Sequence, residues 1–209
     1  MPEALTFDPA ALDWDKQGGM LPAIIQDADN LRVLMLGYMD RAALEATLAS
    51  GRVTFFSRSR RRPWIKGETS GNHLELVALE PDCDADTLLV RARPKGPTCH
   101  LGRRSCFAAA PSDFLAELDD VVDRRHRERP TGSYTTRLFD SGVRRIAQKV
   151  GEEGVEAALA AVAQDDNALL GEAADLLFHL QVVLRVRNLS FAEAVAMLRR
   201  RHGEAAAPT

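Results

Sequence analysis

Asp82–Cys106, DCDADTLLVRARPKGPTCHLGRRSC, is where the chain changes character. Before it lie short apolar runs separated by turn residues. After it the apolar residues recur at helical spacing. Within it, Thr87–Ala92 has the composition of a strand and Lys95-Gly96-Pro97 that of a turn. The stretch also holds all 3 cysteines of the chain, Cys83, Cys99 and Cys106, together with His100 and the alternating aspartates Asp82, Asp84 and Asp86. Thiolate and imidazole suit zinc, while carboxylates suit magnesium or manganese. If residues 82–86 run extended, the aspartates share one side and Cys83 faces the other. Three carboxylates on one side repel each other and call for a cation or strong solvation. Buried free thiols are the plain alternative for Cys99 and Cys106, whose separation exceeds that of a zinc knuckle. Three cysteine ligands on zinc would leave a fourth position open to water, as catalytic sites require.

Upstream, two apolar runs, Met20–Gln26 and Leu31–Tyr38, flank the turn cluster Asp27-Ala28-Asp29-Asn30 and predict a β-hairpin. Asp40 is placed to cap a helix over Arg41–Ala49, with Leu44 and Leu48 on one face and Gly51 past its end. Val53–Ser57 and His73–Leu79 read as strands, and residues 1–19 as a loosely structured acidic lead-in. The run Arg58–Arg62 and the segment Lys66-Gly67-Glu68-Thr69-Ser70-Gly71-Asn72 are either a solvated basic turn or a phosphate-capturing pair of loops. Arginine forks and glycine-flanked amides favour phosphate oxygens. Trp64 between them could stack on a base or belong to the core.

Downstream, Ala108-Ala109-Ala110-Pro111 forms a boundary. Ser112 is placed to cap a helix through Leu115, Leu118, Val121 and Val122, stopped by Pro130. Thr131–Thr136 reads as a loop, and the rest is helical. The expected architecture is two domains, α+β and β-rich over 1–108, then an all-α bundle over 109–209. On a helix over Arg144–Ala163, Ile146, Val150, Ala157 and Ala161 share one side, and Lys149, Glu152, Glu153 and Glu156 the other. The next helix, from Asn167 to about Arg187, brings Glu172, Asp175 and His179 within about 60° of one another beside its apolar stripe. A charged helix face is usually just solvated. Here packing into a bundle draws Glu172 and Asp175 inward, where carboxylates need partners. Five converging carboxylates suit magnesium, which commonly also holds substrate phosphates. That combination describes a pyrophosphate-bond hydrolase.

Composition narrows the classes further. The 209 residues are 45% hydrophobic and 27% charged, with a net charge of -3, which points to a globular protein and away from nucleic acid as a partner. No run of 18 apolar residues predicts a membrane span. The N-terminus lacks a basic-then-apolar signal pattern, and the odd cysteine count argues against a disulfide framework. A cytoplasmic location is expected.

The motifs LPAIIQDAD, VLMLGYMDRAALEATLASGRVTFFSRSR, WIKGETSGN, DCDAD and PTCHLGRRSCF resemble those of phosphoribosyl-AMP cyclohydrolase over Met20–Phe107. SYTTRLFDSG, RRIAQKVGEEGVEAALA and EAADLLFHL resemble phosphoribosyl-ATP pyrophosphohydrolase over residues 113–188. The order is that of the fused, bifunctional enzyme of histidine biosynthesis. The resemblance implies zinc on Cys83, Cys99 and Cys106, with ligands shared across a homodimer interface, and magnesium on Asp82, Asp84 and Asp86. His100 is implied as a proton carrier. A second magnesium site is implied on Glu152, Glu153, Glu156, Glu172 and Asp175, in a domain similar to the all-α nucleoside triphosphate pyrophosphohydrolases, with Glu153 expected to be catalytic. Arg58, Arg60, Trp64, Lys66, Glu68, Thr69, Ser70, Gly71, Asn72 and Lys149 are the expected substrate-binding residues. The substrates would be phosphoribosyl-ATP, cleaved to phosphoribosyl-AMP and pyrophosphate, and then phosphoribosyl-AMP, whose purine ring is opened.

Two positions depart from the pattern. Gly154 replaces a usual alanine, at a helix cost of about 1 kcal/mol. Pro63 removes an amide donor in the basic loop. Three rival readings make different demands. A housekeeping nucleotide pyrophosphohydrolase with a zinc-stabilised domain would turn over ordinary triphosphates and open no ring. A zinc base deaminase would need HxE followed by PCxxC, which is missing. A zinc-stapled nucleic-acid module using Arg58–Arg62 and Arg103-Arg104 would bind with a steep salt dependence.

Overall fold

Every second side chain of β1 (Leu21–Asp27) is buried, as a strand at the centre of a sheet requires. The computed structural model describes residues 7–16 and 18–206, with side chains described through residue 203. The chain divides into two compact units, Met1–Asp113 and Phe114–Thr209.

In the first unit β1 pairs antiparallel with β2 (Val33–Met39), forming the expected hairpin, and parallel with β6 (Leu88–Pro94). β5 (Leu74–Pro81) closes the sheet beside β6, so the order is β2-β1-β6-β5. Leu21, Ile25, Leu88 and Val90 are fully buried, and each such Leu, Ile or Val contributes about 1.5–3 kcal/mol by burial. The helix α1 (Arg41–Ser50) is capped as its sequence predicts. The Asp40 carboxylate accepts from the Ala43 N–H, and Gly51 ends it at φ 67°. β3 (Thr54–Ser57) pairs with β4 (Arg62–Ile65), a strand within what reads from sequence as a basic loop. Pro63 stands opposite Phe56 in this two-stranded sheet, where an edge position spares its missing N–H.

Two expectations for this unit are corrected. The lead-in is not loosely structured over its described part: Pro9–Ala11 form a 3-10 turn capped by Asp8, and Leu12 and Trp14 are 5% and 3% exposed. Two large apolar side chains in a polar segment are enough to anchor it, because the core supplies the cavity. Residues 1–6 and 17 lie outside the described residues. Residues 82–86 do not run extended. They form a turn in which the Asp82 carboxylate accepts the Asp86 and Thr87 N–H groups, both at 3.0 Å. Ala85 takes φ 59°, a left-handed conformation that costs about 1–2 kcal/mol.

Residues just before the division belong to the first unit. The Asp113 N–H donates to the Asn30 carbonyl, and the Ser112 hydroxyl accepts from Arg32 Nη2 at 2.7 Å. Ser112 therefore serves that contact, and α2 (Phe114–Glu128) starts two residues later. The division falls five residues beyond the expected 108/109 boundary. The expected loop at Thr131–Thr136 is corrected as well. Ser133 caps α3 (Tyr134–Asp140) by accepting the Thr136 N–H. α4 (Val143–Ala163), α5 (Asp166–Val186) and α6 (Phe191–Ala206) follow. The core of this unit joins Val122, Leu138, Phe139, Ile146 and Val182.

Glu153 does not lie opposite Ile146. Ile146, Glu153 and Ala160 form the buried stripe of α4, because a seven-residue step returns to nearly the same helix face. Ala161, expected inward, is exposed. Gly154 sits in α4 with no atom within 4 Å of where a Cβ would be.

Candidate active sites

The segment after β6 is held against the hairpin by backbone bonds. The Cys106 N–H donates to the Leu34 carbonyl at 2.8 Å, and Ser105 Oγ donates to the Val33 carbonyl at 2.7 Å. Cys99 sits in a tight turn, its N–H bonded to the Arg103 carbonyl and its carbonyl to the Gly102 N–H. These anchors bring the Cys99 and Cys106 thiols into hydrogen-bonding contact. The Leu101 N–H lowers the pKa of Cys99, with the Arg103 guanidinium adding to the effect. Burial pushes the Cys106 thiol up, and the neighbouring Cys99 adds to that.

Across from the thiols lies the turn Lys66–Asn72. A cavity of about 480 Å³ opens between the two segments, lined by Trp64, Lys66, Glu68, Thr69, Ser70, Asn72, Cys99, His100 and Cys106. Met35, Gly67, Pro97, Thr98 and Gly102 also line it, each within a motif quoted above but not among the expected site residues. The Lys66 side chain is buried, which lowers its ammonium pKa, while the two thiols oppose that shift. Three substrate residues expected in this unit lie outside the lining. Arg58 stacks on the Tyr38 ring at 4.2 Å, the Arg60 N–H donates to Ser57 Oγ, and Gly71 shapes the turn at φ 76°. Glu68 is paired with Arg62 at 3.3 Å.

Cys83 is exposed on the aspartate turn. Among the described residues, no group of three ligand atoms within 4.8 Å includes a cysteine. Asp82, Asp84 and Asp86 do form such a group. Lys16, which no local motif marks, places its Nζ 2.5 Å from Asp84 and 2.6 Å from Asp86. Those two hydrogen bonds hold its ammonium well above the ordinary lysine range.

In the second unit, carboxylate oxygens of Glu153, Glu156 and Glu172 lie within 4.8 Å of one another. Glu153 is buried, and Lys149 Nζ approaches it at 2.5 Å while also holding Glu152 at 3.0 Å. The Lys149 hydrogen bond is the main cause holding both carboxyls below their usual range. Glu152 is bound besides by Arg145 and Gln148, outside the cluster. Asp175 is exposed and also outside it. Desolvation, then repulsion from Glu156, Glu153 and Asp175, raises the pKa of Glu172. His179, buried, hydrogen bonds the Asp175 carbonyl through Nδ1 at 2.8 Å and faces Tyr134 Oη through Nε2 at 3.2 Å.

The thiol-lined pocket in one unit and the glutamate cluster in the other are two candidate sites, and the comparisons place a hydrolase domain over each. Residues 35–108 match the family model for phosphoribosyl-AMP cyclohydrolase, and residues 115–202 that for phosphoribosyl-ATP pyrophosphohydrolase. The chain is 66% identical over 201 residues to the histidine biosynthesis bifunctional protein HisIE of Xanthomonas axonopodis pv. citri, covering 96% of this chain and 98% of the relative. The proteins of the same name from Shewanella oneidensis and Escherichia coli K12 are 53% and 52% identical. They cover 95% and 91% of this chain, and 94% and 95% of their own lengths. The chain belongs to the bifunctional cyclohydrolase–pyrophosphohydrolase family of histidine biosynthesis.

Gly67 offers a local test of the pocket. It has φ +84°, and a Cβ there would lie 2.4 Å from the backbone carbon and oxygen of Asn72. Backbone atoms cannot yield as a flexible side chain can. Gly67→Ala is expected to cost at least about 2 kcal/mol of first-unit stability. Ring opening should fall at least about tenfold, because misplaced positioning groups cost rate. Thermal unfolding and separate assays of the two reactions check this, with pyrophosphate release unchanged.

Proposed function

We propose that the chain works as a cytoplasmic homodimer that first cleaves phosphoribosyl-ATP to phosphoribosyl-AMP and pyrophosphate on the glutamate cluster, then opens the purine ring of phosphoribosyl-AMP in the thiol-lined pocket. The observation that carries this reading is the pocket itself. Two soft ligands and an imidazole stand on one wall, and a glycine-flanked turn with a buried ammonium on the other.

The donor chemistry fits two metals. Cys99 and Cys106 are adjacent thiols; the Leu101 N–H and the Arg103 guanidinium favour thiolate at Cys99, while Cys106 stands beside it with Lys66 near. Cys83 of a second copy is the natural third ligand, given its exposed place on the aspartate turn. Zinc, when bound, supplies a Lewis acid that brings the pKa of water toward about 7. Asp82, Asp84 and Asp86 on the first unit, and Glu153, Glu156 and Glu172 on the second, are all-oxygen sets that suit magnesium. Glu152 and Asp175 are the further carboxylates the family pattern would add to the second set. Magnesium, when bound, neutralises the carboxylates and the substrate phosphates together.

The chain's own residues account for the rest. The Lys66 ammonium and the amides of Gly67–Asn72 bind phosphate oxygens, and Trp64 offers a flat face to the base. Arg58 and Arg60 at the nearby β-turn add positive charge at the approach. His100 takes a proton from the attacking water. That proton then passes to the ring nitrogen released when its bond to the carbon bearing the exocyclic nitrogen breaks, while the second proton of the water moves to the exocyclic nitrogen and leaves a carboxamide. In the second unit, the domain resembles the all-α nucleoside triphosphate pyrophosphohydrolases in its acidic helix pair. Lys149 there moves from Glu153 to a phosphate oxygen, freeing Glu153.

A second copy is supported by the apolar surface of the second unit. Val155, Leu159 and Val162 on α4 and Leu170 on α5 are more than half exposed, a pattern that marks an interaction face. Among the described residues no helix is long and apolar enough to cross a membrane. The decisive assay supplies phosphoribosyl-ATP with and without chelator and follows pyrophosphate and ring-opened product separately. A zinc-selective chelator in excess magnesium should stop ring opening and leave pyrophosphate release. A metal-stripped chain that performs both reactions at full rate would overturn the reading.

A further inference from the structure

The N-terminal segment carries a lysine whose ammonium sits on two aspartates of the Asp82–Asp86 turn. Leu12 and Trp14 seat the segment in the core, and the Arg41 guanidinium lies 5.0 Å over the Trp14 ring. The Asp13 N–H donates to the Ala85 carbonyl at 2.9 Å, tying this anchor to the crown of the aspartate turn. The Asp13 carboxylate accepts the Lys16 N–H at 3.2 Å and turns the chain back toward the aspartates. Lys16 Nζ then sits on Asp84 Oδ2 and Asp86 Oδ2, at 2.5 and 2.6 Å. A magnesium ion would need such oxygens at about 2.0–2.1 Å, in the volume the ammonium occupies. The two cations cannot both engage Asp84 and Asp86.

We propose that Lys16 is a built-in competitor for the aspartate cation site. Its ammonium neutralises Asp84 and Asp86 when no divalent ion is present, and it swings out when one enters. The anchor at Trp14 keeps the lysine close, so its effective concentration at the site is high and constant. The concentration at which the site fills is thereby raised. Lys16 is 45% exposed, so it leaves for water readily, and the competition weakens as salt screens the pairs. This inference rests on the reading of the aspartate turn as a cation site.

The test is a manganese titration of the zinc-loaded full chain, following the free-ion signal by electron paramagnetic resonance. It compares wild type, Lys16→Met, and Asp84→Asn/Asp86→Asn. Methionine keeps the aliphatic stem and removes the charge. Lys16→Met is expected to fill the aspartate site at about fivefold lower manganese, the scale of an exposed ion pair. Equal or weaker binding in Lys16→Met, with binding still lost in the double asparagine variant, overturns the competitor and leaves the aspartate site standing. Identical manganese binding in wild type and the double variant overturns both.

Discussion

Replacing Cys99 by alanine is expected to lower ring opening more than about 100-fold while pyrophosphate release from phosphoribosyl-ATP stays at its original rate. The magnitude follows from the role proposed for the thiol. Losing a residue that merely supports a metal ligand typically costs about 10–100-fold, and losing the ligand itself costs more. Cys99 is the buried member of the thiol pair. The substitution removes only a sulfur atom, and the turn is held by backbone bonds to Arg103 and Gly102. The first unit should therefore stay folded, with unfolding midpoints close to the original. Zinc content should fall in parallel with ring opening. Parallel loss of both reactions would argue that the two sites are not separable.

Glu153→Gln is expected to reverse this pattern, lowering pyrophosphate release on the order of 100-fold or more, as loss of a carboxylate that holds the metal or takes the proton of the attacking water does. Ring opening of supplied phosphoribosyl-AMP should be untouched. Glu153 is the buried carboxylate of its cluster, with Lys149 at 2.5 Å and His179 Nδ1 at 3.6 Å. Glutamine keeps the shape and removes the charge. Lys149 retains Glu152 at 3.0 Å, so no buried ammonium is stranded and the helix pair should hold. The readout is pyrophosphate formation at saturating substrate across a magnesium series. A full rate at high magnesium would assign Glu153 to ion affinity alone and remove it from the catalytic group. The same series on Glu152→Gln separates the cluster from its rim, since Glu152 is bound by Arg145 and Gln148 and should show the smaller loss.

Local signals carried a large part of the fold. The β1–β2 hairpin, the Asp40 cap and the Gly51 stop were legible because each depends on residues no more than a few positions apart, and backbone preferences act at that range. The helical spacing of the acidic residues on α4 and α5 is legible for the same reason, but the periodicity set Glu153 on the wrong side of α4. Where short-range preference was weak, the reading slipped. TGSYTT looks like loop, yet Ser133 caps a helix because Leu138 and Phe139 have a core to enter. The strand β4 hides behind arginines and a proline, since a two-stranded edge tolerates both.

By itself the sequence determined which chemical groups the protein has, in which half each stands, and the family to which their order belongs. Only the tertiary structure decided which of them meet. It placed Lys66–Asn72 across a cavity from Cys99–Cys106, grouped Asp82, Asp84 and Asp86 by a left-handed turn rather than by strand alternation, and turned Glu153 inward beside Ile146. It also seated Lys16 on aspartates 68 and 70 residues away, because Trp14 found a place in a core built from distant strands. The reason is one of range. Backbone preferences and helix periodicity act over a few residues, whereas burial and charge pairing act between whatever segments the core brings together.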